Sequence, residues 1–232
     1  MEGFQSTKPT CRLCGTPDLD WARSHRGEHY RHCPGCDAIQ LSGDQLPSPE
    51  QERRRYREHN NQPDNAEYLG YLKRFADSAV APHLAPPGPL LDFGSGPSPV
   101  LSALLAERGY HVASYDPLFA DNPRLLDPAH HQYRGIVLLE VVEHLHQPRR
   151  ELDRLMTLLA PEGRLILRTG LFDALPTGHP EAPERFLRWW YRRDPTHVWF
   201  MTPRTVDWVA RTYRLSLVHR APGVELTFER SA

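Results

Sequence analysis

The stretch PLLDFGSGPSP, Pro89 to Pro99, decides the architecture of this chain. Its apolar half, with Asp92 near the end, reads as a buried strand, and Gly94, Ser95 and Gly96 form a turn out of it. VLSALLAER then reads as an apolar helix, from about Ser98 to Arg108. A strand that passes through a glycine turn into a helix opens a βαβ unit, and such sheets bind ligands outside the carboxyl ends of their strands.

The same alternation extends in both directions. Upstream, Tyr68, Leu69, Leu72, Phe75, Ala76 and Ala79 recur at helical spacing, and the helix should end before Pro82. Downstream, YHVASYD, GIVLLE (Gly135 to Glu140) and GRLILRT (Gly163 to Thr169) are strands, with a helix from about Arg149 to Leu159 before the last of them. TPRTVDWVARTY is a further helix, and two strands close the chain, near Leu215 to His219 and Val224 to Glu229. Strands alternating with helices predict an α/β fold with a mostly parallel sheet covered on both faces.

At 232 residues the chain has room for one full domain and a small appendage. A net charge of −1 argues against nucleic-acid binding through bulk charge, which needs a basic excess. No apolar run is long enough to span a membrane. The opening MEGFQSTKPT has neither the charged nor the apolar region of a signal peptide, so a cytoplasmic protein is expected.

All four cysteines fall early: Cys11, Cys14, Cys33 and Cys36, two C-x2-C pairs separated by eighteen residues. That spacing suits a four-thiolate zinc site, each pair forming a tight knuckle. Two disulfides are the alternative, and a cytosolic chain disfavours them. His25, His29 and His32 lie between the knuckles and are read as exposed. Four thiolates leave no open position, so this Zn2+ is expected to serve the fold of the amino-terminal lobe and not the chemistry. The expected organisation is a zinc-ribbon over residues 1–45, a linker with a short helix over 46–64, and the α/β domain over 65–232. The arginines of the linker, Arg53, Arg54, Arg55 and Arg57, read as a solvated face.

The α/β segment's ligand is suggested by its first turn. Asp116 ends the second strand about twenty residues on, placed to take a ribose diol through two oxygens. The third glycine of G-x-G-x-x-G is replaced: Pro99 follows Ser98. That weighs against a cradled pyrophosphate, hence against NAD, and suits a phosphate-free nucleoside such as S-adenosylmethionine. With LLDFGSG, Asp116, LLEVVEHLHQP and LMTLLAPEGRLILRT, the chain from about Asn65 onward resembles the class I S-adenosylmethionine-dependent methyltransferases. The resemblance implies a Rossmann-like sheet with an antiparallel strand at its carboxyl end. It also implies S-adenosylmethionine lined by Asp92, Gly94, Ser95, Gly96 and Asp116, with Glu140 near the methyl-transfer centre.

Glu140, Glu143 and His144 follow the GIVLL strand. If the chain turns helical there, offsets of three and four put all three on one face, beside the cofactor. Two carboxylates and an imidazole that close need compensation, which a cation supplies. The E-x-x-E-H motif with His197 far downstream resembles the metal site of small-RNA 2′-O-methyltransferases, and a similar acidic motif occurs in quinone-biosynthesis O-methyltransferases. That resemblance implies a catalytic divalent metal held by Glu140, Glu143, His144 and His197, with transfer to an oxygen. Trp189, Trp190, Tyr191, Trp199 and Phe200 flank His197, either as core or as an aromatic wall for a planar acceptor. Two alternatives stand beside this reading. One is a metal-free N- or C-methyltransferase with Glu140 or His197 as base. The other is a zinc-ribbon RNA- or partner-binding module on a methyltransferase scaffold. A small-molecule acceptor is expected over RNA.

Overall fold

The computed structural model describes residues 9–221 and 225–231. The opening MEGFQSTK and Val224, read above as free of a signal sequence and as the first residue of a strand, lie outside them.

The strand-and-helix alternation produces a six-stranded sheet. Its members are β4 (Pro89–Phe93), β5 (His111–Tyr115), β6 (Tyr133–Leu139), β7 (Leu159–Arg168), β9 (Leu215–Ala221) and β10 (Glu225–Arg230). The spatial order is β5-β4-β6-β7-β10-β9. The first four run parallel, with Leu90 beside Val112 and Gly135, and Val137 beside Ile166. β10 is antiparallel to both β7 and β9, so β9 returns parallel to the rest. This is the Rossmann-like sheet expected, closed by the antiparallel strand.

Side chains alternate across it with period two. Leu90, Val137 and Ile166 face α2 (Ala66–Phe75) and α3 (Val100–Glu107), meeting Leu72, Phe75, Leu101 and Leu105. Leu91, Ile136, Leu138, Leu165 and Leu167 face the other way, onto α4 (Pro148–Leu158) and α6 (Pro203–Tyr213), meeting Leu155 and Val209. Asn65 caps α2, accepting from the amides of Glu67 and Tyr68.

A second sheet is built by β1 (Leu19–Arg23), β2 (His29–His32), β3 (Ile39–Leu41) and β8 (Trp199–Phe200), in that order. The first three are the amino-terminal ribbon. The fourth comes from the far end of the chain, pairing Phe200 with Ile39 and Trp199 with Gln40. Under this sheet lie Tyr30, Phe172, Phe200 and Phe186, the last from α5 (Ala182–Arg188). The connecting segment forms α1 (Pro49–Glu58), started by a capping box between Ser48 and Gln51. Among the described residues no helix is long and apolar enough to cross a membrane.

Candidate active site

The sheet order reverses at β4: the chain moves one way to β5 and the other way to β6. The carboxyl ends of these strands open into a cavity of about 1010 Å³. Gly94 and Gly96 take positive φ, +82° and +69°, and fold the end of β4 back. A Cβ on Gly94 would strike Val141 at 2.5 Å, whereas one on Gly96 would meet nothing within 4 Å. The turn is tied to the end of β5 by Gly94 N–H and Ser95 N–H, which donate to the Tyr115 carbonyl at 2.7 and 3.1 Å. Asp116 closes it, accepting from Gly96 N–H at 2.9 Å through one oxygen and from Leu118 and Phe119 through the other. The Ser95 hydroxyl is buried on the cavity wall without a partner.

Asp92 stands behind the turn, away from the cavity lining. It is 3% exposed and accepts from Ser102 Oγ of α3 at 2.6 Å. Burial pushes its pKa up to about 6, the negative charge of Asp116 adds to that, and the Ser102 bond opposes it.

The E-x-x-E-H segment does not continue as an α-helix, which corrects the one-face arrangement considered from the sequence. Glu140 follows β6 in the left-handed region, φ +53°, and only a single 3-10 turn comes after it, Val142–His144. The backward step leaves Glu140 outside the three-residue cluster that follows, although its carboxyl stays beside that of Glu143. Glu143, His144 and His197 come together, their ligand-capable atoms all within 4.8 Å of one another. Glu140 points to a different set: Tyr71 hydroxyl donates to it at 3.1 Å, and Arg168 lies 3.3 Å away. Tyr191 joins the two groups, its hydroxyl 2.7 Å from Glu140 Oε2 and also against Glu143 Oε1.

Both imidazoles are oriented by backbone. His144 Nδ1 lies 2.9 Å from the Thr196 carbonyl and His197 Nδ1 2.7 Å from the Tyr191 carbonyl. A carbonyl only accepts, so each Nδ1 carries the proton and each Nε2 keeps its lone pair. Burial, reinforced by His197, pulls His144 down to about 3, and burial also lowers His197, so both rings are neutral at pH 7. Glu143 is fully buried. That burial, with Glu140 nearby, holds its carboxyl well above the usual range. One carboxylate and two neutral imidazole nitrogens form a donor set suited to Mn2+, Fe2+, Co2+ or Zn2+.

Of the five aromatics around His197, Trp190 and Tyr191 line the cavity, with Trp190 70% exposed at its mouth. Trp199 and Phe200 are buried core, and Trp189 packs on Phe172 and Phe186. Sequence reading missed Tyr71 and Arg168, which hold Glu140. Arg168 had one signal: it ends β7 beside Leu139, the last residue of the parallel β6, and Glu140 N–H, one residue on, donates to its carbonyl at 2.8 Å. Arg55, read as a solvated face, grips Asp194 at 2.8 Å beside the cavity.

At the ribbon, the four cysteines are free thiols with their sulfurs within 4.8 Å of one another. Cys11 and Cys36 approach to 3.5 Å, and Cys14 and Cys33 to 3.3 Å. These separations are beyond a disulfide bond and compatible with tetrahedral zinc. His32 is engaged elsewhere, 2.9 Å from Asp37.

A methyltransferase-domain family profile matches residues 56–220. Among solved structures, the chain is similar to the N-methyltransferase NodS of Bradyrhizobium japonicum WM9 in complex with S-adenosyl-L-homocysteine. The identity is 14%, over 80% of this chain and 100% of that one, with a TM-score of 0.51. It is also similar to the 1,6-didemethyltoxoflavin-N1-methyltransferase of Burkholderia thailandensis, at 15% identity over 88% of this chain and 96% of that one, TM-score 0.51. An O-methyltransferase family protein from Burkholderia thailandensis aligns at 16% identity over 82% and 67%, TM-score 0.51. At such identities the likeness is one of fold. No curated protein matches the chain in sequence.

Proposed function

The chain belongs to the methyltransferase-domain family, and from that premise we propose that it transfers the methyl group of S-adenosylmethionine to an oxygen of a small-molecule acceptor, assisted by a divalent ion. The observation that carries the reading is the convergence of Glu143, His144 and His197, the two histidines lining the cavity and Glu143 buried behind it, with both Nε2 lone pairs free.

Gly94 and Gly96 let the backbone approach the cofactor closely, the Ser95 hydroxyl supplies a vacant partner, and Asp116 takes the ribose hydroxyls on its remaining lone pairs. Glu143, His144 and His197 hold the ion, with Glu140 beside them through Tyr191. A bound ion would acidify and align the acceptor hydroxyl, whose proton would pass to solvent, and S-adenosylmethionine would give up its sulfonium methyl and leave as S-adenosylhomocysteine. The Tyr191 hydroxyl sits between the Glu140 and Glu143 carboxyls as a hydrogen-bond donor, and Arg168 balances the charge of Glu140. Trp190 and Tyr191 offer aromatic surface to the acceptor. The four cysteines hold a structural Zn2+ in a ribbon over residues 1–45, joined through 46–64 to the catalytic domain over 65–232.

The test is release of S-adenosylhomocysteine across a panel of phenol, catechol, alcohol and amine acceptors, with and without EDTA. Metal-dependent turnover of oxygen acceptors is expected. Turnover of amines, undiminished by EDTA, would instead favour the metal-free route, with His197 or Glu140 as base.

A further inference from the structure

From sequence, the cysteine ribbon serves only the fold of its own lobe. We propose that the ribbon positions His197: Arg12, between the first two cysteines, and β3 hold the segment that carries His197 against Glu143, and losing the thiolate-bound ion loosens that cluster while sparing the Gly94–Asp116 end of the cavity. The inference rests on the reading of Glu143, His144 and His197 as a metal site, although the brace itself is independent of it.

The Val198 peptide, next to His197, is held from both sides. Its N–H donates to the Glu143 carbonyl at 2.8 Å. Its carbonyl accepts from Leu41 N–H of β3 at 2.9 Å and from Arg12 Nη2, also at 2.9 Å. Arg12 is fixed in turn by Leu41 O at 3.1 Å and by Gln40 Oε1 at 3.0 Å.

The second knuckle grips the same segment further along. Asp37 directly follows Cys36 with φ +65°, and accepts from Thr202 Oγ1 at 2.7 Å and from the Thr177 hydroxyl. Thr202 is the N-cap of α6. Residues 198–202 are therefore pinned at both knuckles, with the β3–β8 pairing between them. The glycine turn is fastened differently, through Tyr115 and Asp116. A knuckle that relaxes moves Arg12 and Asp37, and Val198 is released from the ribbon.

Four measurements on full-length Arg12→Ala test this. Zinc content and S-adenosylhomocysteine affinity should stay at wild-type values, confirming an intact fold and cofactor site. Mn2+, which thiolate sites take poorly, is titrated by electron paramagnetic resonance, and its affinity should fall on the order of tenfold or more. Amide exchange over residues 196–200 should quicken by about tenfold, both in this variant and in wild-type protein stripped of zinc. If Arg12→Ala does not fold, Arg12→Lys, which keeps the charge but loses the fork, should show the same changes in smaller measure. Unchanged exchange in a folded variant and in stripped protein would overturn the brace. Wild-type protein that binds no Mn2+ but shows the quickened exchange would sink the metal reading alone.

Discussion

The amide of Val198 donates to the carbonyl oxygen of Glu143 at 2.8 Å, across 55 residues of sequence. This bond fastens the downstream histidine segment to the E-x-x-E-H turn. His144 returns the contact through Nδ1 to the Thr196 carbonyl, so the two segments are stitched in both directions. The geometry of the cluster is thus set largely by backbone, with both Nε2 atoms of the histidines left free.

Asp116 should carry much of the cofactor affinity. Asp116→Ala removes a charge-assisted acceptor and also frees the Gly96 amide, so S-adenosylhomocysteine should bind about 1.5–3 kcal/mol more weakly by calorimetry. Unchanged affinity would remove Asp116 from the ribose.

The ribbon should contain one zinc per chain by elemental analysis, and Cys33→Ser should lose it together with thermal stability. Wild-type protein without zinc after growth in zinc-replete medium, or two disulfides found by mass spectrometry, would contradict the site.

The alternation of strands and helices was legible because successive sheet residues turn to opposite faces, as Leu90 and Leu91 do. The glycine turn and Asp116 were legible for the same local reason. β8 was not: two residues, Trp199 and Phe200, pair with a strand some 160 positions earlier, and nothing in their own composition points there. Glu140 misled for another reason. Spacing alone places it with Glu143 and His144, but one left-handed residue sends it toward Tyr71 and Arg168. The role of Arg12 depends on where β8 lies, so it was hidden as well.

Tyr191→Phe should cost the hydrogen bond that the hydroxyl gives the Glu140–Glu143 pair. With the buried Glu143 Oε1 left without that donor, stability in EDTA should fall by about 1–3 kcal/mol in urea unfolding. Added Mn2+ should restore part of it. Equal stability of variant and wild type in EDTA would show that the bridge contributes nothing.

Asp92 should leave a pH signature. Its folded pKa, about 6, lies above the ordinary carboxylate value of 3.8. The folded state therefore binds more protons than the unfolded state between those values. Its stabilising contribution is full below about pH 4 and is lost as pH rises through about 6. Relative to Asp92→Asn, the wild type should lose on the order of 2–3 kcal/mol between pH 4 and pH 7, read from urea midpoints. A difference that stays flat over that window would mean Asp92 ionises freely in the folded protein.

The central claim is a divalent ion beside the cofactor, held by the E-x-x-E-H turn and the distant histidine. Anomalous diffraction from crystals grown with S-adenosylhomocysteine and Mn2+ tests it without knowledge of the acceptor. The account predicts a manganese peak about 2.2 Å from a Glu143 oxygen and from the Nε2 atoms of His144 and His197, with the nucleoside at the Gly94–Gly96 turn. Nucleoside bound at that turn, with no manganese at the three residues, would contradict it.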